Sequence, residues 1–187
     1  MLKNQQSIAA SKDVNFAVKQ ADEIKRQGNH ITALLSHSDL IQLGGYAAVE
    51  YCGGPSMIFR MGREDTTSEA DSIQHSGEGL SATVEAIGKL SLEPEEYVAL
   101  MGSKTIGFVA DEKKGPHTRW CMNPYVFDNT YYQELLLGEK SKYYKNEYDY
   151  KLLESAEGRQ WVQAFADDED LFFLHYAKAH VKVSELA

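Results

Sequence analysis

Glu93-Pro94-Glu95-Glu96, followed by the apolar run Tyr97-Val98-Ala99-Leu100-Met101, constrains this chain more than any other feature. Proline is tolerated at the first helical position because its missing N–H would be unpaired there anyway. The three carboxylates favour the positive end of a helix dipole. The pattern predicts a helix that starts at Pro94 and carries the chain into Lys104. Beyond it come Thr105-Ile106-Gly107, a polar segment, Trp120, Cys121, Asn123-Pro124 and Phe127-Asp128-Asn129.

The elements around that stretch also read as helices. Phe16, Ala17, Val18, Ala21 and Ile24 keep a three-to-four spacing that predicts a helix over about 15–27, ended by Gly28-Asn29. Ser36-His37-Ser38-Asp39 has the form of a capping box. It opens a second helix with a stripe of Leu40, Leu43, Ala47 and Tyr51, stopped by Gly53-Gly54-Pro55. Two glycines inside it, Gly44 and Gly45, cost about 1 kcal/mol each relative to alanine and imply close packing against another backbone. Gly62, Arg63 and Asp65 read as architectural, a glycine turn fixed by an Arg–carboxylate pair. A polar loop over 66–79 leads to a short helix over about 80–89. Thr130–Leu137 is a further short helix closed by Gly138, and Tyr143, Tyr144, Tyr148 and Tyr150 flank a β-hairpin expected around Asn146. The last helix opens in Asp167-Asp168-Glu169-Asp170, an acidic first turn that satisfies the dipole, with Phe172, Tyr176, Ala179 and Val183 on one face.

At 187 residues the chain is long enough for one domain with a real core. A formal net charge of −9 argues against nucleic acid, whose phosphates demand a basic face. No apolar run approaches the roughly 18 residues of a membrane helix. The first twelve residues have neither the apolar centre of a secretory signal nor the arginine bias of a transit peptide. Cys52 and Cys121 have no metal-ligand spacing and read as two buried thiols in a reducing compartment.

Two long blocks resemble the class I haem peroxidases, most closely ascorbate peroxidases. Leu35 to Asp65 matches L-S-x-A-D-x-x-Q-L-A-G-x-x-A-V-E-x-x-G-G-P-x-x-x-F-x-x-G-R-x-D at Leu35, Ser36, Asp39, Gln42, Leu43, Gly45, Ala48, Val49, Glu50, Gly53, Gly54, Pro55, Phe59, Gly62, Arg63 and Asp65. Glu96 to Asn129 is similar to the family's proximal segment V-A-L-S-G-G-H-T-I-G followed by W-x-x-N-P-x-x-F-D-N. The acidic run before Phe172-Phe173 and the closing Ser184-Glu185-Leu186 match the family's C-terminus. The resemblance implies one mainly α domain over 1–187, a truncated haem-peroxidase-like fold holding the proximal half and part of the distal half, with the small β-hairpin.

The resemblance also locates what is exchanged. The family's iron-ligating histidine falls on Lys104, its proximal tryptophan on Trp120 and the carboxylate that holds the histidine on Asp149. A peroxidase needs that imidazole on iron, and a distal histidine and arginine to move protons and stabilise charge on the peroxide. The distal Arg–Trp–His helix is expected to be missing, since nothing before Asn15 has that form, and 66–79 keeps none of the haem-edge motif. An amine must be neutral to bind iron, so the expectation is a Lys104–Asp149 ion pair and no haem, with lysine ligation or a substitute His117 as minor alternatives. His175 and His180 do not share a helix face as a ligand pair would. The family's monovalent-cation residues map to Thr105, Cys121, Asn123 and Asp128. Thr105, Asn123 and Asp128 are oxygen donors suited to K⁺, while sulfur is a poor ligand for a hard cation; otherwise these residues knit the loop.

Three functional readings follow from the resemblance. The first is a catalytically inactive, haem-free accessory subunit that meets another peroxidase-like chain or a larger assembly, such as an electron-transport complex in a mitochondrion or chloroplast. The second is a working peroxidase that reduces hydrogen peroxide with ascorbate or cytochrome c, its missing parts supplied by a partner. The third is a haem- or small-molecule-sensing pocket without catalysis.

Overall fold

A computed structural model describes residues 12–65, 91–109, 115 and 117–185, with side chains from Phe16 onward. Seven α-helices are found among them: α1 Lys12–Gln27, α2 His37–Tyr51, α3 Pro94–Met101, α4 Thr130–Leu137, α5 Glu147–Lys151, α6 Ala156–Asp167 and α7 Glu169–Ser184. Short 3₁₀ turns at Thr32–Leu34, Gly102–Thr105 and Gly138–Lys140 extend or connect them. The only β pairing among the described residues is an isolated antiparallel bridge between Phe108 and Arg119. The helix expected over 80–89 and the polar loop before it lie outside the described residues.

Local chemistry explains most helix starts. Ser36 accepts from Asp39 N, Ser155 from Gly158 N and Asp168 from Leu171 N, each satisfying an otherwise unpaired N–H of a first turn. At α3, Glu93 and Glu96 form a reciprocal capping box behind Pro94. The acidic run sits where the dipole favours it, with Asp168 as cap and Glu169 and Asp170 in the first turn of α7.

The structure departs from the sequence reading at several places. Of the stripe read on α2 only Leu40 is buried; Leu43, Ala47 and Tyr51 are exposed, and Tyr46 and Val49 face the interior instead, while Cys52 is only part-buried. The hairpin around Asn146 is not formed; the residue caps α5. Asn146 N donates to Asp149 Oδ2 at 2.7 Å and Asp149 N donates to Asn146 Oδ1 at 3.0 Å. That closed exchange starts a helical turn and withholds both N–H groups from any strand ladder. Helix α6 went unread, although Ser155 and the 1-3-1 spacing of Trp161, Val162, Phe165 and Ala166 were signals for it. Among the described residues nothing lies within 4 Å of where a Gly44 Cβ would stand, and Gly45 meets only the His180 ring at 3.8 Å, so no close backbone approach is found there among them. Arg63 pairs with Asp39 of α2 at 2.9 Å, while Asp65 turns to the backbone and side chain of Ser38 and to His37.

The main core lies where α3, α4, α6 and α7 converge. Phe127, Tyr131, Tyr132, Leu135, Val162, Phe165 and Phe172 are all essentially without solvent contact. Phe127 and Phe172 stack at 5.5 Å, and Tyr132 meets Phe172 edge-on at 5.1 Å, geometries that suit the ring quadrupoles. Tyr132 is buried with its hydroxyl donating to Val98 O at 2.9 Å and Ala99 O at 3.1 Å. This satisfies carbonyls at the end of α3 and pins the helix that leads to Lys104. A smaller cluster of Ala21, Leu35 and Leu40 joins α1 to α2.

Gly102, at the end of α3, leaves room for that packing. A Cβ there would collide with the Tyr132 hydroxyl and come within 2.6 Å of the Phe172 ring. Gly102→Ala is expected to destabilise the protein by about 1–3 kcal/mol, seen as a lower urea midpoint at unchanged slope.

Candidate functional site

Helix α3 ends in the 3₁₀ turn Gly102–Thr105, which points Lys104 at the buried start of α5. Lys104 Nζ donates to Asp149 Oδ1 at 2.6 Å. The lysine side chain is 22% exposed and the aspartate 0%, so screening by water is weak and the pair counts as buried. Tyr131 OH donates to the same carboxylate oxygen at 2.6 Å, while Asn146 N takes the other at 2.7 Å. Both oxygens of Asp149 are thus occupied by donors. No buried side-chain nitrogen or oxygen among the described residues lacks a hydrogen-bond partner.

Aromatic rings and a second lysine complete the cluster. The Lys104 ammonium lies 4.6 Å from the centre of the Trp120 ring, near enough for a cation–π attraction. Trp120 packs against Tyr144 at 5.1 Å. Lys145 Nζ donates to Trp120 O at 2.6 Å and stands 5.7 Å from the centre of the Tyr131 ring. Burial pulls the Lys145 ammonium below its ordinary range. Burial, reinforced by the charge of Asp149, pushes the Tyr131 phenol far up, which keeps it a donor. The same two causes raise Tyr97.

The structure therefore brings Lys104, Trp120 and Asp149 together, and adds Tyr131, Asn146 and Lys145. Asn146 could have been found from the N-x-x-D spacing of a capping box. Tyr131 and Lys145 carried no signal, because their roles arise only when α4 and the segment before α5 fold against Lys104. As held here, Lys104 Nζ is turned toward a carboxylate and a ring. A haem iron does not fit this donor set. Among the described residues no histidine takes part in these contacts; His117 is exposed, with its ring 6.4 Å from that of Phe108, on an open depression of about 390 Å³ that also includes Arg119 and Tyr125. His175 packs on Trp161 and Phe165, and His180 on Tyr46 and Tyr176.

The four cation-site positions divide. Thr105 Oγ1 donates to Asp128 Oδ1 at 2.6 Å, and Thr130 N donates to the same oxygen at 3.0 Å. The Cys121 thiol lies in hydrogen-bonding contact with Thr105, and burial pushes it up to about 12. Asn123 Oδ1 accepts from Tyr125 N at 3.1 Å inside its own turn. Thr105 and Asp128 are suitable hard oxygens and sit together; the Asn123 carboxamide is committed to the loop. Among the described residues no group of three or more His, Cys, Asp or Glu could hold a metal ion.

Comparison with known proteins places this arrangement. The family described as Peroxidase matches residues 1–168. The chain is 35% identical to L-ascorbate peroxidase 2, cytosolic, of Arabidopsis thaliana, over 95% of its own length and 70% of the relative's. It is 37% identical to L-ascorbate peroxidase 2, cytosolic, of Oryza sativa subsp. japonica, over 97% and 72%. A third relative, L-ascorbate peroxidase 5, peroxisomal, of Arabidopsis thaliana, is 35% identical over 94% of this chain and 62% of the relative.

Truncating one partner of a buried pair strands the other. Lys104→Ala is expected to lower stability by about 3 kcal/mol, at the mild end for buried pairs because the lysine side chain is partly exposed. Lys104→Arg, which keeps the charge, should restore a large part of that loss; urea titrations of the two variants beside the parent are the check.

Proposed function

The chain belongs to the peroxidase family and is ascorbate-peroxidase-like in sequence, and from that premise we propose that it is a haem-free, catalytically inactive member serving as an accessory protein. One observation carries the reading. The position of the family's iron-binding imidazole is filled by Lys104, whose ammonium is neutralised by the buried Asp149. Freeing an amine of its proton at pH 7 costs roughly 4–5 kcal/mol from a reference pKa of about 10.4. Asp149 opposes that loss, since the neutral amine would leave a buried carboxylate without its cation. Trp120 and Asp149 then act as packing and ion-pair partners of Lys104.

The absence of a resident metal belongs to the same proposal. Thr105 and Asp128 bond each other, Asn123 closes its turn, and Cys121 offers sulfur, so this cluster acts as a loop fastener in place of a K⁺ site. The accessory role draws support from apolar side chains left on the surface: Tyr51 at the end of α2, and Ile58 and Met61 after it, are 93%, 75% and 69% exposed. Such surface meets protein partners more often than solvent alone. An organellar electron-transport assembly is the partner implied by the family resemblance; the relatives' own names place those proteins in cytosol and peroxisome. No helix among the described residues is long and apolar enough to cross a membrane.

The second reading, a haem-dependent enzyme that reduces hydrogen peroxide with ascorbate or cytochrome c, is favoured by identities of 35–37% to proteins named L-ascorbate peroxidase. It requires an iron ligand other than Lys104. Haemin titration separates the two. The parent protein is expected to show no saturable one-to-one Soret change and no peroxide-dependent ascorbate oxidation, whereas Lys104→His gains haemin affinity. Stoichiometric haem uptake by the parent, or identical titrations for parent and variant, would overturn the proposal.

A further inference from the structure

His37, the first residue of α2, is held between two carboxylates. Its Nε2 lies 3.0 Å from Asp22 Oδ1 on α1, and its Nδ1 lies 3.1 Å from Asp65 Oδ2 on the segment after α2. A neutral imidazole has one N–H and one lone pair, so it can serve only one of two acceptors. Both bonds exist together only when the ring carries two protons and a positive charge. We infer that His37 is a proton-operated clasp, closed as the imidazolium and opened by its deprotonation, that fastens α1 to the rest of the fold.

The two jaws differ in how firmly they are fixed. Asp65 also accepts from His37 N at 2.9 Å, Ser38 N at 2.9 Å and Ser38 Oγ at 3.0 Å. Burial alone would raise its carboxyl, but these bonds and the one from the His37 ring outweigh it and draw it down to about 2. It remains an anion, tied to the start of α2 whatever the ring does. The bond to the His37 ring is what ties the Asp22 carboxylate to α2, and α1 otherwise rests on the small cluster of Ala21, Leu35 and Leu40. Either neutral tautomer turns a lone pair toward a carboxylate. Because Asp65 cannot retreat, α1 is the element that yields.

The surrounding charges among the described residues do not supply a substitute. On α1, the charged residues one turn from Asp22 are Lys19, Lys25 and Arg26, the last paired with Glu23. On α2, Asp39 is engaged by Arg63, and on the segment after it Arg60 pairs with Glu185; Glu64 precedes Asp65 in the chain. The direction of the effect follows. The closed clasp holds a proton that the open one has released, so α1 docks best at acidic pH and loosens as the ring loses that proton. Opening would uncover Leu35 and Leu40.

Amide hydrogen exchange on the full chain tests this, with α1 read against α7 and corrected for intrinsic rates. Between about pH 5.5 and about pH 8 the protection of α1 is expected to fall about fivefold, the scale of one part-exposed ion pair, while α7 does not change. His37→Gln should give weakly protected α1 at both pH values. Asp22→Asn replaces the acceptor facing Nε2 with a carboxamide that can donate to it, so a neutral ring then satisfies both sides and α1 stays protected throughout. A flat response in the parent would overturn the clasp. So would a parental slope retained in either variant.

Discussion

A buried carboxylate with no solvent contact must find its counter-charge inside the protein, and Asp149 finds it in Lys104. That requirement organises the interior around it. Asp149 caps α5 through Asn146, draws Tyr131 of α4 onto its oxygen, and receives Lys104 from the turn after α3. Three helices are thereby registered to one side chain. Each bond is strong because water is excluded, and each would be costly to leave unmade for the same reason.

The aromatic core makes this arrangement rigid. Tyr132 ties down the carbonyls that end α3, and Phe172 of α7 fills the space that Gly102 leaves open. Lys182 of α7 reaches back to Glu96 at the head of α3 at 2.6 Å and to Ser91 O at 2.8 Å, so the helix is held at both ends. A lysine at the tip of a helix fixed this way cannot swing freely. Its ammonium is placed against Asp149 and Trp120 by that packing, and its charge is met by an internal salt bridge.

Family membership and the proposed role stand on different observations. The peroxidase assignment rests on similarity across nearly the whole chain. The proposed loss of haem chemistry rests on one residue and its partners, where the charge state of an amine decides whether iron can be held. His37 shows a second instance of the same physics at the periphery. There the number of protons on a ring, set between one fixed acceptor and one that can move away, decides whether a helix stays attached.

Much of the fold was legible in one dimension because helix starts and apolar stripes are local. Ser36, Pro94 with its glutamates, Gly138 and Asp168 each mark an end through bonds within a few residues, and those ends appear as read. The four tyrosines around Asn146 misled because strand propensity yields to a capping exchange spanning only three residues. Arg63 misled because its carboxylate partner, Asp39, lies 24 residues away in sequence. The sequence by itself determined that an amine replaces an imidazole at residue 104, since chemical identity is written there. Only the tertiary structure decided that Tyr131 and Asn146 join Lys104 on Asp149, and that His37 lies between Asp22 and Asp65, because such meetings depend on how separate helices pack and no local pattern records them.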